Sequence, residues 1–300
     1  MIEAAVSLLL SAQNPDGGWG AVPGKRSNTE ATSLALLALQ SLNRNESALA
    51  LRKAKTWLVE RQNSDGSWPL ADSSKKPSWS TAFAIIALSE ADDLRDRVVK
   101  AGHWVLAQEG SKPGLLANLI VALFDQKKAV HLNEDLVGWP WTADSFSWVE
   151  PTSYFMLAVK KMKRYLPPKT VQERIQQAEL MIYDRMCENG GWNYGNSTVY
   201  DDKLWPYPDV TAVALMALQD RRDRKENQLS LRALNHMLKD VDSGLALGWS
   251  SICFSLYGLD TTEYQKLLLH RFEKTKFLGE TKPTALTILA LGNGTNYFRV

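Results

Sequence analysis

The stretch Gln13-Asn14-Pro15-Asp16-Gly17-Gly18-Trp19-Gly20 decides the fold, because the chain repeats it. Gln62-Asn63-Ser64-Asp65-Gly66-Ser67-Trp68 is a second full copy, and Met186-Cys187-Glu188-Asn189-Gly190-Gly191-Trp192 is a third with the glutamine replaced. Each copy closes one apolar-periodic segment and is followed, after a loop of variable length, by another. Fixed punctuation between paired helices is the sequence signature of a repeat architecture.

Around these marks the chain reads as helix pairs. Residues 2–13 form a first helix, ended by the turn chemistry of Asp16-Gly17-Gly18. Past a polar loop through Pro23-Gly24-Lys25, residues 32–39 are apolar nearly all round, which predicts a buried helix. The contrast recurs. Residues 48–62 are charged on one side and 81–88 wholly apolar, and 94–108 are followed by an apolar 115–124. Residues 152–159 are apolar too, but the preceding 126–137 is too short and polar for a full helix. The pairs 170–187 with 211–218, 227–240 with 249–259, and 262–275 with 284–291 complete the series, and strand signals are almost absent. Amphipathic outer helices alternating with buried inner ones predict an all-α, (α/α)6-type toroid around a central cavity. Six inner helices are well defined and a seventh is a candidate. A linear solenoid also alternates helix types, but both of its helix rows keep a solvent-facing stripe, which these inner helices barely show.

No Pro/Gly/Ser-rich linker divides the 300 residues, so a single domain over 1–300 is expected. A net charge of +2 argues against a nucleic-acid partner. The densest basic run, Lys160-Lys161-Met162-Lys163-Arg164, reads as the solvated end of a helix. Two cysteines, Cys187 and Cys253, cannot make a disulfide framework. The apolar Ala4–Leu10 follows an acidic Glu3 and is too short to span a bilayer, so the expectation is a cytoplasmic protein, with peripheral membrane contact left open.

Inner helices begin on a Thr followed by a small residue: Thr32-Ser33, Thr81-Ala82, Thr152-Ser153, Thr211-Ala212 and Thr284-Ala285. Two positions earlier stand Glu30, Trp79, Glu150, Asp209 and Lys282, expected at or near the N-cap, with Pro151 and Pro283 next at N1. Aromatics crowd the same loops. Trp139, Trp141 and Trp148 precede one inner helix, and Trp192, Tyr194, Tyr200, Trp205 and Tyr207 precede another. They mark this mouth as the functional end, where ring faces hold a cation or stack on an apolar or sugar ligand. The substrate-binding candidates are Trp79, Trp141, Trp148, Trp205, Tyr207 and Trp249.

Lys53-Ala54, Trp57-Leu58-Val59, Gln62 and Gly66-Ser67-Trp68 together resemble the QW motif of squalene and oxidosqualene cyclases. Gln13 with Gly17-Gly18-Trp19 is a second copy. Lys100-Ala101, Trp104-Val105-Leu106 and Gln108 make a third that lacks its Gly-x-Trp, and Gly190-Gly191-Trp192 and Gly248-Trp249 are fragments. The chain thus resembles, along essentially its whole length, the α/α toroids of the terpenoid cyclase and protein prenyltransferase superfamily. The resemblance implies that QW segments brace outer helices by stacking Trp on Gln and do no chemistry. Gln13, Asp16, Trp19, Gln62 and Trp68 are then structural.

Protonation-type cyclases of that superfamily carry Asp-x-Asp-Asp-Thr-Ala at the head of an inner helix. Tyr207-Pro208-Asp209-Val210-Thr211-Ala212 is similar but lacks two of the aspartates. Asp209 matches the first Asp, not the proton donor. Asp201 and Asp202 lie upstream, and with Glu150 and Asp209 they are the candidate acids. A lone Asp at a helix N-terminus is held ionised by the macrodipole, so a capping role for Asp209 competes with an acid role. The zinc site of the prenyltransferase branch needs Asp-x-Cys, but Ser251 precedes Cys253 and Arg185 precedes Cys187 in that place, so no metal or other cofactor is expected. Three functions follow as expectations. One is protonation-initiated cyclisation of an isoprenoid in the central cavity, with an apolar isoprenoid as the small-molecule partner. Another is a catalytically silent toroid holding a lipid or protein. The last is a carbohydrate-active (α/α)6 enzyme that pairs Glu150 with Asp201 or Asp202.

Overall fold

The computed structural model describes residues 2–71, 73–112, 132–292 and 294–300. Among them are twelve α-helices: α1 Ile2–Ser11, α2 Thr29–Gln40, α3 Ala48–Glu60, α4 Thr81–Leu88, α5 Arg95–Ala107, α6 Val149–Met162, α7 Pro168–Asp184, α8 Pro208–Ala217, α9 Lys225–Met237, α10 Gly244–Leu256, α11 Thr262–Thr275 and α12 Thr281–Leu291. A two-residue hairpin pairs β1 Thr198–Val199 antiparallel with β2 Asp202–Lys203. No described helix is long and apolar enough to cross a membrane.

The inner ring closes. Helix α2 packs on α4, α4 on α6, α6 on α8, α8 on α10, α10 on α12, and α12 back on α2. Every residue of α4 is buried, as is nearly all of α2 and α8. Such helices are stable only when covered on all sides, and a closed ring inside a second ring supplies that cover. Outside it, α3 covers α2, α5 covers α4 and α6, α7 covers α6, α9 covers α8, and α11 covers α10 and α12, while α1 covers α12 and so joins the start of the chain to its end. Thr281 fastens the same seam, its N–H donating to Ala21 O at 2.8 Å and its hydroxyl to Gly20 O at 2.7 Å. The expected solenoid alternative is thereby excluded. Among the described residues the ring closes with six helices, and the predicted inner helix over 115–124 lies outside them.

The repeated motif is a lock between one outer helix and the next inner one. The indole N–H of Trp19, Trp68 and Trp192 donates to Leu9 O, Leu58 O and Ile182 O at 2.8, 2.7 and 2.6 Å. Their backbone N–H groups donate to Thr32, Thr81 and Thr211 Oγ1, each at 2.9 Å. Trp139 makes the same pair of bonds, to Val105 O at 2.8 Å and Thr152 Oγ1 at 2.9 Å. Trp139 is therefore the missing tryptophan of the third copy, separated from its outer helix by an insertion, and it belongs to the brace instead of the mouth. The Thr that opens an inner helix works as the acceptor that fixes the tryptophan.

The turns before these tryptophans also match. Gly17, Gly66 and Gly190 all have φ between +90° and +98°, and a Cβ there would lie 2.9 Å from Lys53, Lys100 or Leu229 of the next outer helix. Glycine is required on both counts. The glutamines brace by hydrogen bonding: Gln13 Nε2 donates to Gly17 O at 2.8 Å and Ala50 O at 2.9 Å, and Gln62 Nε2 to Gly66 O at 3.0 Å and Arg97 O at 2.9 Å. Each amide thus ties its own turn to the following outer helix. The ring set against the first turn is Trp57, whose indole N–H donates to Asp16 Oδ2 at 2.9 Å.

One expectation fails in the core. Lys160 is buried, with Nζ donating to Glu179 Oε1 at 3.0 Å, Asp220 Oδ1 at 2.6 Å and Ala217 O at 2.8 Å. It serves the carboxylates and the carbonyl end of α8, where a cation is favoured, and is not a solvated helix end. Trp249 lies within α10 at 1% exposure. Its ring stands 6.3 Å from Phe83 and 6.2 Å from Tyr154, centroid to centroid. Helices α4 and α10 are opposite members of a six-membered ring, so Phe83 and Trp249 meet across the barrel axis. Phe298, in the C-terminal turn Gly294–Phe298, adds a ring 5.5 Å from Trp249, and Gln219 just past α8 donates to its carbonyl at 2.8 Å. The C-terminal tail plugs the end opposite the mouth, and aromatic rings fill the axis.

Candidate functional site

The first turns of α2, α6, α8 and α12 bring Glu30, Glu150, Asp209 and Lys282 into one electrostatic cluster at the N-terminal end of the inner ring. All four sit at the second helical position. The N-caps are Asn28, Trp148, Tyr207 and Glu280, so these residues lie inside the first turn, and Pro151 and Pro283 fall at N3, two positions past N1. Lys282 Nζ lies 2.7 Å from Glu30 Oε1 and 5.9 Å above the Tyr154 ring.

Glu150 is the central group. Burial pushes its carboxyl above the ordinary range, opposed by the Lys282 charge and by the Tyr154 hydroxyl, and reinforced by the nearby Asp209 and Glu30 charges. Tyr154 donates to Glu150 Oε1 at 2.6 Å, one helical turn on. Tyr154 is fully buried and its own pKa is driven up, first by burial and then by the Glu150 charge, so the phenol keeps its proton. The arrangement is a carboxyl biased toward the neutral form, with a fixed donor and an ammonium placed to receive the charge it would leave behind.

An aromatic wall covers Tyr154, the phenol that donates to the carboxyl. Trp79 meets Trp141 edge-on at 5.1 Å, lies over Tyr154 at 6.1 Å and meets Phe83 edge-on at 6.1 Å. A small cavity of about 50 Å³ opens beside Trp79 and Trp141, bounded also by Trp104 and Phe155. Trp148 caps α6 at the edge of this region, with its ring against Gly195.

The predicted residues thus separate. Glu150, Asp209, Trp79 and Trp141 come together at the mouth. Asp201 and Asp202 ride on the exposed β1–β2 hairpin, and the charges acting on Glu150 come from Lys282, Asp209 and Glu30. Trp205 is 79% exposed and Tyr207, tilted against Tyr194 at 5.4 Å, is 48% exposed; both sit on the outer edge of the site. Trp249 lies at the axis, its indole N–H buried without a partner. Glu30, Tyr154 and Lys282 were not among the predicted site residues. Glu30 and Lys282 share the position two before Thr with Glu150 and Asp209, and that common register was the available signal.

Comparison with known proteins agrees with this architecture. Residues 2–132 match the family model of the squalene-hopene cyclase N-terminal domain. No curated protein matches the chain in sequence. Among solved structures, the type II terpene cyclase MstE from Scytonema is 13% identical, with a TM-score of 0.58 over 99% of this chain and 98% of that one. A variant of that enzyme was solved with its substrate, geranylgeranyl dihydroxybenzoate. Protein geranylgeranyltransferase-I of Candida albicans, complexed with GGPP, is 14% identical with a TM-score of 0.50, over 78% of this chain and 67% of that one. A D-mannose isomerase is 13% identical with a TM-score of 0.52, over 99% and 96%. At such identities the likeness establishes the scaffold alone, and the proteins that share it differ in what they act on. The closed double ring, its repeated tryptophan locks and these matches together show that the chain has the α/α-toroid fold of these solved structures, with a squalene-hopene cyclase N-terminal match over residues 2–132.

Proposed function

We propose that the barrel mouth is a Brønsted-acid site that protonates an isoprenoid and starts its cyclisation, with Glu150 as proton donor. The observation that carries this is a buried carboxyl, biased to its neutral form, hydrogen-bonded by a buried tyrosine and set beside an aromatic wall. Tyr154 occupies Oε1, so the transferable proton sits on Oε2. Transfer makes a C–H bond from the alkene π pair and leaves a carbocation and a carboxylate. The Tyr154 hydroxyl and the Lys282 charge stabilise that carboxylate, and the faces of Trp79 and Trp141 stabilise the cation. Asp209 acts through its charge, which favours the protonated donor. Its role thus differs from the acid role first expected of it. Because Phe83 and Trp249 already meet across the axis, the proposed seat is the mouth and not the central cavity.

The test is turnover of squalene, linear prenyl diphosphates and a geranylgeranyl-substituted aromatic acid, read as cyclic products by mass spectrometry. Glu150→Gln keeps the shape and removes the proton, and is expected to lower turnover about 100-fold or more. Unchanged turnover in that variant would overturn the assignment. The ring-filled axis favours one second reading, a catalytically silent toroid. No product from any substrate, with a lipid or protein retained in native mass spectra, would transfer the function to it.

A further inference from the structure

The four tryptophan locks differ in one respect. From lock tryptophan to threonine the chain runs 13 positions in three repeats, Trp19 to Thr32, Trp68 to Thr81 and Trp139 to Thr152, and 19 in the fourth, Trp192 to Thr211. The frame around the extra residues is unchanged. Trp19 O, Trp139 O and Trp192 O accept from the N–H groups of Asn28, Trp148 and Tyr207, each four residues before its threonine. The excess of six residues equals the hairpin Thr198–Lys203, so β1 and β2 are an insertion into an otherwise regular repeat.

The insertion has a fixed neck and an open tip. Buried Asn193 donates from Nδ2 to Asn196 O at 2.5 Å and Trp205 O at 3.5 Å, holding both sides of the neck, and Leu204 N–H donates to Ser197 O at 2.9 Å. At the tip, Tyr200 and Asp201 have φ of +49° and +68°, the left-handed region where a hairpin turn favours Asn and Gly. Tyr200 is 70% exposed and gains little packing from that conformation, which is the pattern of strain kept at a functional position. Lys203 Nζ meets Glu188 Oε1 at 2.5 Å, an exposed pair that holds the hairpin weakly.

The neck stands between the two acid-bearing helices. Tyr194 O accepts from Val149 N–H at the start of α6, and the Tyr194 ring meets that of Tyr207, the N-cap of α8. The Tyr194 phenol is pushed up by burial and then by the Asp209 and Glu150 charges, so it lies within the field of both acids. Trp205, the one exposed tryptophan among the described residues, leaves this neck four residues before Asp209. The cavity beside Trp79 and Trp141 measures about 50 Å³, room for roughly two waters. An isoprenoid chain seated at this mouth stays open to solvent unless part of the protein covers it.

We infer that the inserted hairpin is a flap that folds over an apolar ligand, with Trp205 and Tyr200 as the covering rings, resting on the reading of the mouth as an isoprenoid site. Closure buries two exposed rings together with the ligand chain and keeps water from the reacting centre. It breaks the exposed Lys203–Glu188 pair and uses the Asn193 neck as its pivot.

Hydroxyl-radical footprinting of the full chain with geranylgeraniol tests this, with bound ligand counted by native mass spectrometry. Tyr200 at the tip and Trp205 at the base should both lose most of their labelling when the ligand is bound. Deleting residues 198–203 restores the 13-residue interval, across ends that already meet at the Ser197–Leu204 bond, so this variant should melt close to wild type. Trp205→Ala and the deletion should each release geranylgeraniol about tenfold faster than wild type. Unchanged labelling of Tyr200 on the ligand-bound protein would overturn the flap. So would release at the wild-type rate by Trp205→Ala, or the absence of any bound geranylgeraniol. Protection of both rings without cyclic products would uphold the flap and remove the Glu150 acid instead.

Discussion

The braces and the mouth are built from neighbouring positions of the same repeats, yet they behave in opposite ways. Four tryptophans make the same two hydrogen bonds, to a carbonyl behind them and a threonine ahead, with nearly constant distances. Two residues before each of those threonines the side chains are Glu30, Trp79, Glu150 and Asp209, with Lys282 in the corresponding place on α12. A lock lies within one repeat and solves the same packing problem each time. A mouth residue faces the axis of a ring, so its neighbours come from other repeats and diversity there creates a site. Repetition therefore marks structure in this molecule, and variation at a repeated register marks chemistry.

The largest separation between the two regions should come from tryptophan truncation. Trp68→Ala removes a fully buried indole and its hydrogen bond to Leu58 O, and should cost about 3–5 kcal/mol in urea unfolding. Trp79→Ala removes the same side chain from the half-buried mouth and should cost about 1–2 kcal/mol. Equal losses would erase the distinction between brace and mouth.

A smaller effect isolates the threonine. Thr81→Val keeps the shape but leaves the buried Trp68 N–H without its acceptor, an expected loss of about 1–3 kcal/mol, while Thr81→Ser should recover much of it. Thr284, whose hydroxyl bonds only Glu280 O of its own helix, should tolerate valine with a loss below about 1 kcal/mol. A Thr284→Val loss matching that of Thr81→Val would show that the lock is not what threonine supplies.

The smallest effect is a pH dependence at the mouth. The Glu150 carboxyl titrates higher in the folded protein than in the unfolded chain, where its ordinary value is 4.5. Between those two values the native state binds more protons, so its stability falls as pH rises. Glu150→Gln does not titrate. Its stability relative to wild type should therefore increase as pH rises from about 4.5 through the raised folded value, measured by thermal melts across pH. A flat difference would mean that Glu150 is not held toward its neutral form.

The braces were legible because each is local. Gln, Gly and Trp fall within one short stretch, and the helix and turn chemistry is written beside them. The third copy escaped only through distance: its tryptophan follows its carbonyl partner on the outer helix by 34 positions where the other three do so by 10. An insertion hides a motif from spacing without disturbing the fold. Lys160 escaped for another reason. Its partners Glu179 and Asp220 lie on later elements, so nothing in a basic run reveals that its first lysine points inward.

The sequence by itself determined the alternation of amphipathic and buried helices, the glycine turns and the tryptophan–threonine pairs, because hydrophobic period and backbone φ are local properties. Only the tertiary structure decided that the ring closes with six described inner helices and that aromatic rings occupy its axis. It also decided which acid matters. Asp209 carried the motif likeness, but Glu150 received the burial, the Tyr154 hydrogen bond and the Lys282 charge. Those are contributed by three-dimensional neighbours, and proton affinity depends on neighbours more than on the identity of the residue.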